Sequence, residues 1–99
     1  MAYMDPAEVA PDNYRVVWED ATRRVIEMRL NAGEIDALHS HPDMVGYFVT
    51  GSRLRIHLVD GTFDEKDFPD GSVLPHGPWT HTVENVGKTD VFGIIFETK

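Results

Sequence analysis

Apolar and polar residues alternate along most of this chain, in short runs separated by turn-forming residues. A period of two is typical of a half-buried β-strand, and it is seen in residues 14–18 and again in 25–30, on either side of a turn at 19–22. These two runs predict a β-hairpin. Further strands are predicted at 44–50, 53–59, 62–68, 79–86 and 91–98, and the last two are expected to pair with each other. No window has a helical period, and β-branched and aromatic residues fill the runs, so we predict an all-β antiparallel domain closed into a barrel.

The remaining segments predict an N-terminal arm, a turn and a loop. Residues 1–13 contain two prolines and three acidic residues without a sustained period, which predicts an N-terminal arm. Residues 14–99 are predicted to form a single barrel domain. The Asp60-Gly61 pair is a strong hairpin signal, and residues 73–78 are predicted to form a tight loop.

Composition narrows the class of protein. The chain has 99 residues, of which 41% are hydrophobic and 26% charged, and this suits one folded domain with one core. It has no cysteine, which excludes disulfides, thiolate ligands and a cysteine nucleophile. The formal net charge of −8 makes nucleic acid and anionic membranes poor partners. Because no apolar run approaches the length of a membrane span or a signal peptide, we expect a cytoplasmic protein.

The five histidines carry the candidate chemistry. His39 and His41 are two residues apart, so on an extended strand both rings leave the same face, with Cα atoms ~6.6 Å apart. Two such rings can bind one metal ion, although an H-x-H pair in a solvated loop needs no ligand at all. His81 lies on another predicted strand. By contrast, His57 is read as a surface residue.

The spacing around these histidines resembles the two motifs of the cupin superfamily. The first motif, G-x5-H-x-H followed by a glutamate and a closing glycine, is met by Gly33, His39, His41 and Gly51. The second is approximated by Gly71, Pro75, Gly77, His81 and Asn85. The second motif is shorter than the family pattern between Gly71 and Pro75 and longer between Gly77 and His81. The resemblance covers nearly the whole chain, and it is closest to the small single-domain, RmlC-like cupins of the type 2 conserved barrel.

The resemblance implies a double-stranded β-helix, also called a jelly-roll barrel, with a metal bound inside by His39, His41 and His81. One departure concerns the ligands themselves, because Met44 stands where the family carries its glutamate. Asp43 is the nearby carboxylate that a bulge after Pro42 would bring inward. His76 is either a fourth ligand, a substrate contact or a rim histidine hydrogen-bonded to backbone.

Three neutral imidazoles would leave a divalent ion with its full charge and with open coordination positions. Such a site suits Fe(II), Zn, Ni, Mn or Cu more than Mg or Ca. One hypothesis is a three-histidine metalloenzyme, dioxygenase-like or an isomerase or hydrolase, that acts on a small anionic or chelating metabolite. The other is a non-catalytic module that binds or senses a small molecule. Fold resemblance does not decide between them.

Several other residues have specific expected roles. One of Tyr47 and Phe48 should face the cavity, Asn85 should stabilise a turn, and Trp79 should either line the pocket entrance or pack over the barrel end. Small barrels also tend to expose an apolar sheet face, and cupins commonly dimerise through such faces. We therefore expect a homodimer, with candidate interface residues Val16, Trp18, Val91 and Ile95.

Overall fold

A computed structural model describes residues 2–99, so Met1, the first residue of the predicted arm, lies outside the described residues. In the described range the chain forms one short helix and a series of antiparallel strands. They are α1 (Pro6–Val9), β1 (Tyr14–Glu19), β2 (Arg23–Leu30), β3 (His39–His41), β4 (Met44–Thr50), β5 (Ser52–Leu58), β6 (Phe63–Phe68), β7 (Val73–His76), β8 (Trp79–Asn85) and β9 (Val91–Thr98). The all-β prediction is confirmed. No helix within residues 2–99 is long and apolar enough to cross a membrane.

The strands form two sheets that enclose the core. One sheet has the order β1-β2-β9-β4-β7 and the other has the order β3-β8-β5-β6. The predicted hairpins β1-β2 and β5-β6 are both present. Strand β4 leads directly into β5, but the two strands belong to opposite sheets, with Gly51 between them. This connection is tight, because a Cβ atom on Gly51 would lie 1.7 Å from the carbonyl oxygen of Phe68.

Two predictions about pairing are wrong. The predicted pairing of β8 with β9 does not occur, because β9 lies between β2 and β4 in one sheet while β8 lies between β3 and β5 in the other. The predicted loop at 73–78 instead contains strand β7, which pairs with β4. Both differences have the same physical origin. In a rolled double sheet, many consecutive strands lie in opposite sheets, as β8 and β9 do here, and local sequence does not specify the long-range pairs.

The alternation in β2 and β9 places every second side chain in the core. Ile26 and Leu30 are fully buried, and Val91 and Ile95 on the paired strand are 2% and 6% exposed. The last two residues were predicted to form an outer apolar face, and that prediction is wrong because their side chains point between the sheets. Burial of such side chains is the main stabilising term for a domain without disulfides.

The arm is held against the barrel of its own chain. Asp5 caps α1 by accepting a hydrogen bond from the Ala7 amide at 2.9 Å. The Ser40 amide of β3 donates to the Met4 carbonyl at 2.7 Å, so the arm covers β3, which is an edge strand. The arm therefore lies alongside the strand that carries the histidine pair.

Candidate metal centre

Strands β3 and β8 bring the three predicted histidines together. His39 and His81 are direct cross-strand partners, and His41 lies on the same face two residues along β3. All three are buried, with one ring nitrogen of each lying within 4.8 Å of the others. Three nitrogens that share one ion at ~2.1 Å are about 3.6 Å apart or less, so each ring nitrogen would need to move by about 0.7 Å to bind a single ion together with the other two.

Hydrogen bonds fix which nitrogen of each β3 histidine is free. Nδ1 of His39 lies 2.7 Å from the Ala37 carbonyl oxygen, and Nδ1 of His41 lies 2.6 Å from Oε2 of Glu97. A carbonyl or carboxylate oxygen only accepts, so Nδ1 carries a proton in both rings. The Nε2 lone pairs of His39 and His41 are therefore available to a ligand.

Three buried ring nitrogens have no hydrogen-bond partner among residues 2–99: Nε2 of His39 and both nitrogens of His81. Buried polar atoms are rarely left in this state, and a bound ion is one of the standard explanations. Burial lowers the pKa of His39 to about 4 and that of His81 to about 2, where the other two histidines add repulsion. The rings of His39 and His81 are therefore neutral near pH 7, as metal ligands must be. The donor set fits a divalent transition ion.

A buried ionic chain leads away from His41 to the protein surface. Glu97 accepts from His41 through Oε2 and from Nε of Arg24, at 3.0 Å, through Oε1. Arg24 also donates to both carboxylate oxygens of Asp5, at 2.8 and 3.0 Å. These hydrogen bonds from Arg24 lower the pKa of Asp5. The chain therefore connects the N-terminal arm to one of the three histidines.

A second buried carboxylate lies behind His39. Asp36 is 6% exposed, accepts from the Tyr14 hydroxyl at 2.6 Å and from the Val83 amide at 2.7 Å, and lies 3.7 Å from Nδ1 of His39. Burial raises its pKa to about 6 despite these hydrogen bonds. The ring of Tyr14 also packs against His39, with centroids 4.7 Å apart. Asp36 and Tyr14 therefore form the wall behind the cluster.

The residues considered as a fourth ligand lie outside the cluster. Asp43 is exposed, so the inward bulge proposed for it is absent. His76 is an exposed rim residue whose Nδ1 donates to the Gly77 carbonyl and whose ring stacks on Trp79 at 3.5 Å. Met44 does face inward, and its sulfur accepts a hydrogen bond from Nε1 of Trp79 at 3.4 Å. The position of the family glutamate is therefore occupied by a thioether that faces an indole.

Some of the other residues with predicted roles lie inside the barrel and others lie on its surface. Phe48 is buried and Tyr47 is 42% exposed, so Phe48 is the residue of this pair that faces inward. Asn85 donates to the carbonyl oxygens of Leu30 and Thr89, which confirms a structural role. His57 lies outside the cluster, where it bonds to Glu84 at 3.0 Å.

An apolar row crosses the outer face of the five-stranded sheet. Trp18 and Phe96 are about half exposed, at 48% and 51%, whereas Val16 of the same expected set packs against the core. The register joins this row across all five strands; its members are Trp18, Val25, Phe96, Val45 and Pro75. This row, and not Val91 and Ile95, is the apolar face that the five-stranded sheet exposes.

One cavity adjoins the cluster, and a groove lies on the surface beyond it. An internal cavity of about 40 Å³ is lined by His41, His81 and Trp79 together with apolar core residues. A broad groove of about 700 Å³ on the surface is lined in part by His76, Glu97 and Arg24. Met44 contributes to the lining of both spaces. A flexible side chain therefore separates the cavity beside the histidines from the groove.

Sequence reasoning did not identify Glu97, Arg24 or Asp36. For the first two the signal was present, because the inward series of β9 runs Val91, Gly93, Ile95 and then Glu97, and the inward series of β2 extends back from Ile26 to Arg24. A charged residue in phase with core positions is a candidate for a buried ion pair. Asp36 lies outside the named strands, and no periodic signal marked it.

Comparison with solved structures supports the fold assignment. A cupin domain from Bordetella pertussis Tohama I superposes with a TM-score of 0.78 at 21% identity, covering 100% of this chain and 98% of that chain. A cupin-2 domain containing protein from Shewanella frigidimarina gives 0.60 at 17% identity, covering 88% and 80%. An RmlC-like cupin family protein with a double-stranded β-helix fold from Methanocaldococcus jannaschii gives 0.64 at 11% identity, covering 87% and 80%.

No protein-family model and no curated protein matches the sequence. At these identities the structural likeness concerns the fold, and the site must be argued from its own residues. The strand order, the two sheets and the buried histidines that face one another agree with what the sequence motifs imply. The chain therefore has the cupin fold, an all-β double-stranded β-helix, with a cluster of His39, His41 and His81 that is able to bind a metal ion.

Proposed function

We propose that this protein is a mononuclear metal-dependent cupin enzyme that acts on a small anionic or chelating metabolite. The observation that carries the proposal is the set of partnerless buried nitrogens on His39 and His81. Leaving a buried polar group unsatisfied costs about 1–3 kcal/mol. A site that keeps three such atoms in a single cluster is best explained by a ligand that they bind.

The chemistry of the donors indicates the class of ion and of substrate. Three neutral imidazoles favour a divalent transition metal, with Fe, Zn, Ni and Mn as the candidates. Such an ion, when bound, would polarise a carbonyl or enolate oxygen and lower the pKa of coordinated water. Since no carboxylate belongs to the donor cluster, an anionic or bidentate oxygen ligand would be attracted to it. Dioxygenase-type chemistry, hydrolysis and isomerisation all use a site of this kind.

The residues around the cluster limit the size of the substrate. The internal cavity of about 40 Å³ has room for only a few water-sized groups. Its walls are largely apolar, so they would exclude bulk water from a bound ligand. Movement of the Met44 side chain would connect the cavity to the groove outside. We therefore expect a small substrate whose chelating end reaches the histidines while the rest lies towards the rim near Trp79 and His76.

Elemental analysis of protein purified without chelators tests the proposal. We expect close to one equivalent of a transition metal in the wild type and a loss of most of it in His81→Ala. The matched control is His57→Ala, which removes a histidine outside the cluster and should leave the metal content unchanged. A wild-type content below about a tenth of an equivalent, unchanged by His81→Ala, would refute the proposal.

The alternative is a non-catalytic module that binds or senses a small molecule. The small size of the cavity favours this reading over an enzyme with a large substrate. The double variant His39→Ala, His41→Ala separates the two functions. If it folds and keeps its affinity for a small-molecule ligand of the wild type, the histidines are not the binding site and the alternative is preferred.

A further inference from the structure

Glu97 occupies the position directly across the sheet from Met44. The two residues are register partners in the β4-β9 pair, and Arg24 on β2 is in turn the partner of Glu97. Glu97 is 3% exposed and Arg24 is 9% exposed, and both face inward. The carboxylate that the cupin motif would place at Met44 is thus present one strand away, on the same row of the same sheet.

We infer that Glu97 is the positioning residue of the candidate metal centre: held by Arg24 and Asp5, it orients His41 so that Nε2 faces His39 and His81. The inference rests on the proposed function. Carboxylates that accept from a ligating imidazole fix its tautomer and orientation, and their removal typically weakens metal binding 10- to 100-fold. The 2.6 Å contact between Nδ1 of His41 and Oε2 of Glu97 has this geometry.

The donors and acceptors of Asp5, Arg24, Glu97 and His41 allow only one pattern of hydrogen bonds among these residues. Arg24 has only donors, so it binds acceptors on both sides: Oε1 of Glu97 and both oxygens of Asp5. With Oε1 occupied by Arg24, Oε2 is the atom that remains for His41, and only a protonated Nδ1 can donate to it. The free lone pair of His41 is then at Nε2. The carboxylate of Glu97 is shared between Arg24 and His41, so Asp5 completes the chain by accepting hydrogen bonds from the other two guanidinium nitrogens of Arg24.

Replacement of Glu97 by glutamine should move the proton of His41 from Nδ1 to Nε2, a change that a purely structural role of Glu97 would not produce. An amide has one acceptor oxygen and one donor nitrogen. Because Arg24 cannot accept a hydrogen bond, the oxygen of Glu97→Gln must face Arg24 and the NH₂ group must face His41. Nδ1 of His41 then becomes the acceptor and the proton moves to Nε2, which blocks the nitrogen that faces the cluster.

The test is a ¹H–¹⁵N correlation spectrum of the histidine side chains in metal-free protein at pH 8, combined with titration of Ni²⁺ by calorimetry. In the wild type we expect the Nδ1–H tautomer of His41, and in Glu97→Gln the Nε2–H tautomer with Ni²⁺ affinity lowered 10-fold or more. The double variant Arg24→Met, Glu97→Gln frees the amide to rotate and should restore the wild-type tautomer. The matched control is Glu84→Gln, which alters the carboxylate that bonds to His57 and should change neither the tautomer of His41 nor the affinity.

Two outcomes would overturn the inference. One is an Nε2–H tautomer of His41 in the wild-type protein, which needs no variant to fold. The other is a Glu97→Gln protein that keeps both the wild-type tautomer and the wild-type Ni²⁺ affinity. Failure of the proposed function looks different, because a wild type that binds no metal would still report the tautomer of His41 in its spectrum.

Discussion

Replacement of His81 by leucine should have opposite effects on stability in the absence and in the presence of metal. The side chain of His81 is buried between His39, His41 and Trp79, with ring centroids 4.7, 5.3 and 4.1 Å away, and neither ring nitrogen has a hydrogen-bond partner. Leucine has a similar volume and no polar atom. The substitution therefore removes two unsatisfied polar atoms and keeps most of the apolar contact.

The magnitude follows from these two terms. At about 1–3 kcal/mol for each unsatisfied group, the imidazole of His81 costs the metal-free protein about 2–6 kcal/mol. A roughly volume-conserving swap loses less than about 1.5 kcal/mol through imperfect packing. We therefore expect metal-free His81→Leu to be more stable than metal-free wild type by at least about 0.5 kcal/mol.

Bound metal offsets this advantage of His81→Leu, and the order reverses once the free energy gained from metal binding exceeds it. A ligand at 100 times its dissociation constant adds about 2.7 kcal/mol to the free energy of unfolding. The wild type should gain this amount with Ni²⁺ or Zn²⁺, whereas His81→Leu, with two histidines left in the cluster, should gain little. Equilibrium urea unfolding with EDTA and with excess metal measures both differences. His57→Leu is the control, and its response to metal should match that of the wild type.

The reasoning would be refuted by His81→Leu being less stable than wild type in EDTA by 1 kcal/mol or more. That result would mean that the imidazole is well satisfied in the metal-free fold and belongs to an ordinary core. A wild type whose stability is the same in EDTA and in metal would equally contradict the argument.

Three further predictions concern pH, the β4-β5 connection and self-association. Burial lowers the pKa of His39 from 6.5 to about 4, so its contribution to metal-free stability is full above pH 6.5 and is lost as the pH falls towards 4, whereas the raised pKa of Asp36 opposes this loss below pH 6. Urea unfolding at pH 7, 5.5 and 4 should therefore show a steeper loss of stability in Asp36→Asn than in wild type. An equal or shallower loss in the variant would contradict this linkage. Gly51→Ala should lower the free energy of unfolding by at least about 3 kcal/mol, because its Cβ would overlap backbone atoms of another strand. The control is Gly61→Ala, which lies in open space with a φ of +90° and should cost about 1–2 kcal/mol. Equal losses in the two variants would show that the β4-β5 connection can relax. Sedimentation at micromolar concentration should show a wild-type dimer and a monomer for Phe96→Glu, which places a charge in the outer apolar row; a monomeric wild type would remove the homodimer prediction.

The sequence by itself determined the elements that depend on local pattern. Alternation predicted β1 and β2, a largely apolar run predicted β4, and the run after the turn at 87–90 predicted β9; the ends of these strands agree with the structure to within one or two residues. The turn residues predicted both hairpins, because a short turn leaves adjacent strands little choice but to pair. The same periodicity gave His39 and His41 a common face, since side chains two apart on a strand point the same way.

Only the tertiary structure decided which distant strands meet. No local pattern indicates that β9 pairs with β2 and β4, and this pairing sets Glu97 between Arg24 and Met44. Nor does any local pattern place Asp5 of the arm against Arg24. The histidines could be named from their spacing, but the buried carboxylates Asp36 and Glu97 that orient and enclose them could not. Their hydrogen-bond partners are 22 to 73 residues away in sequence, and long-range pairing is decided by the packing of the two sheets as a whole.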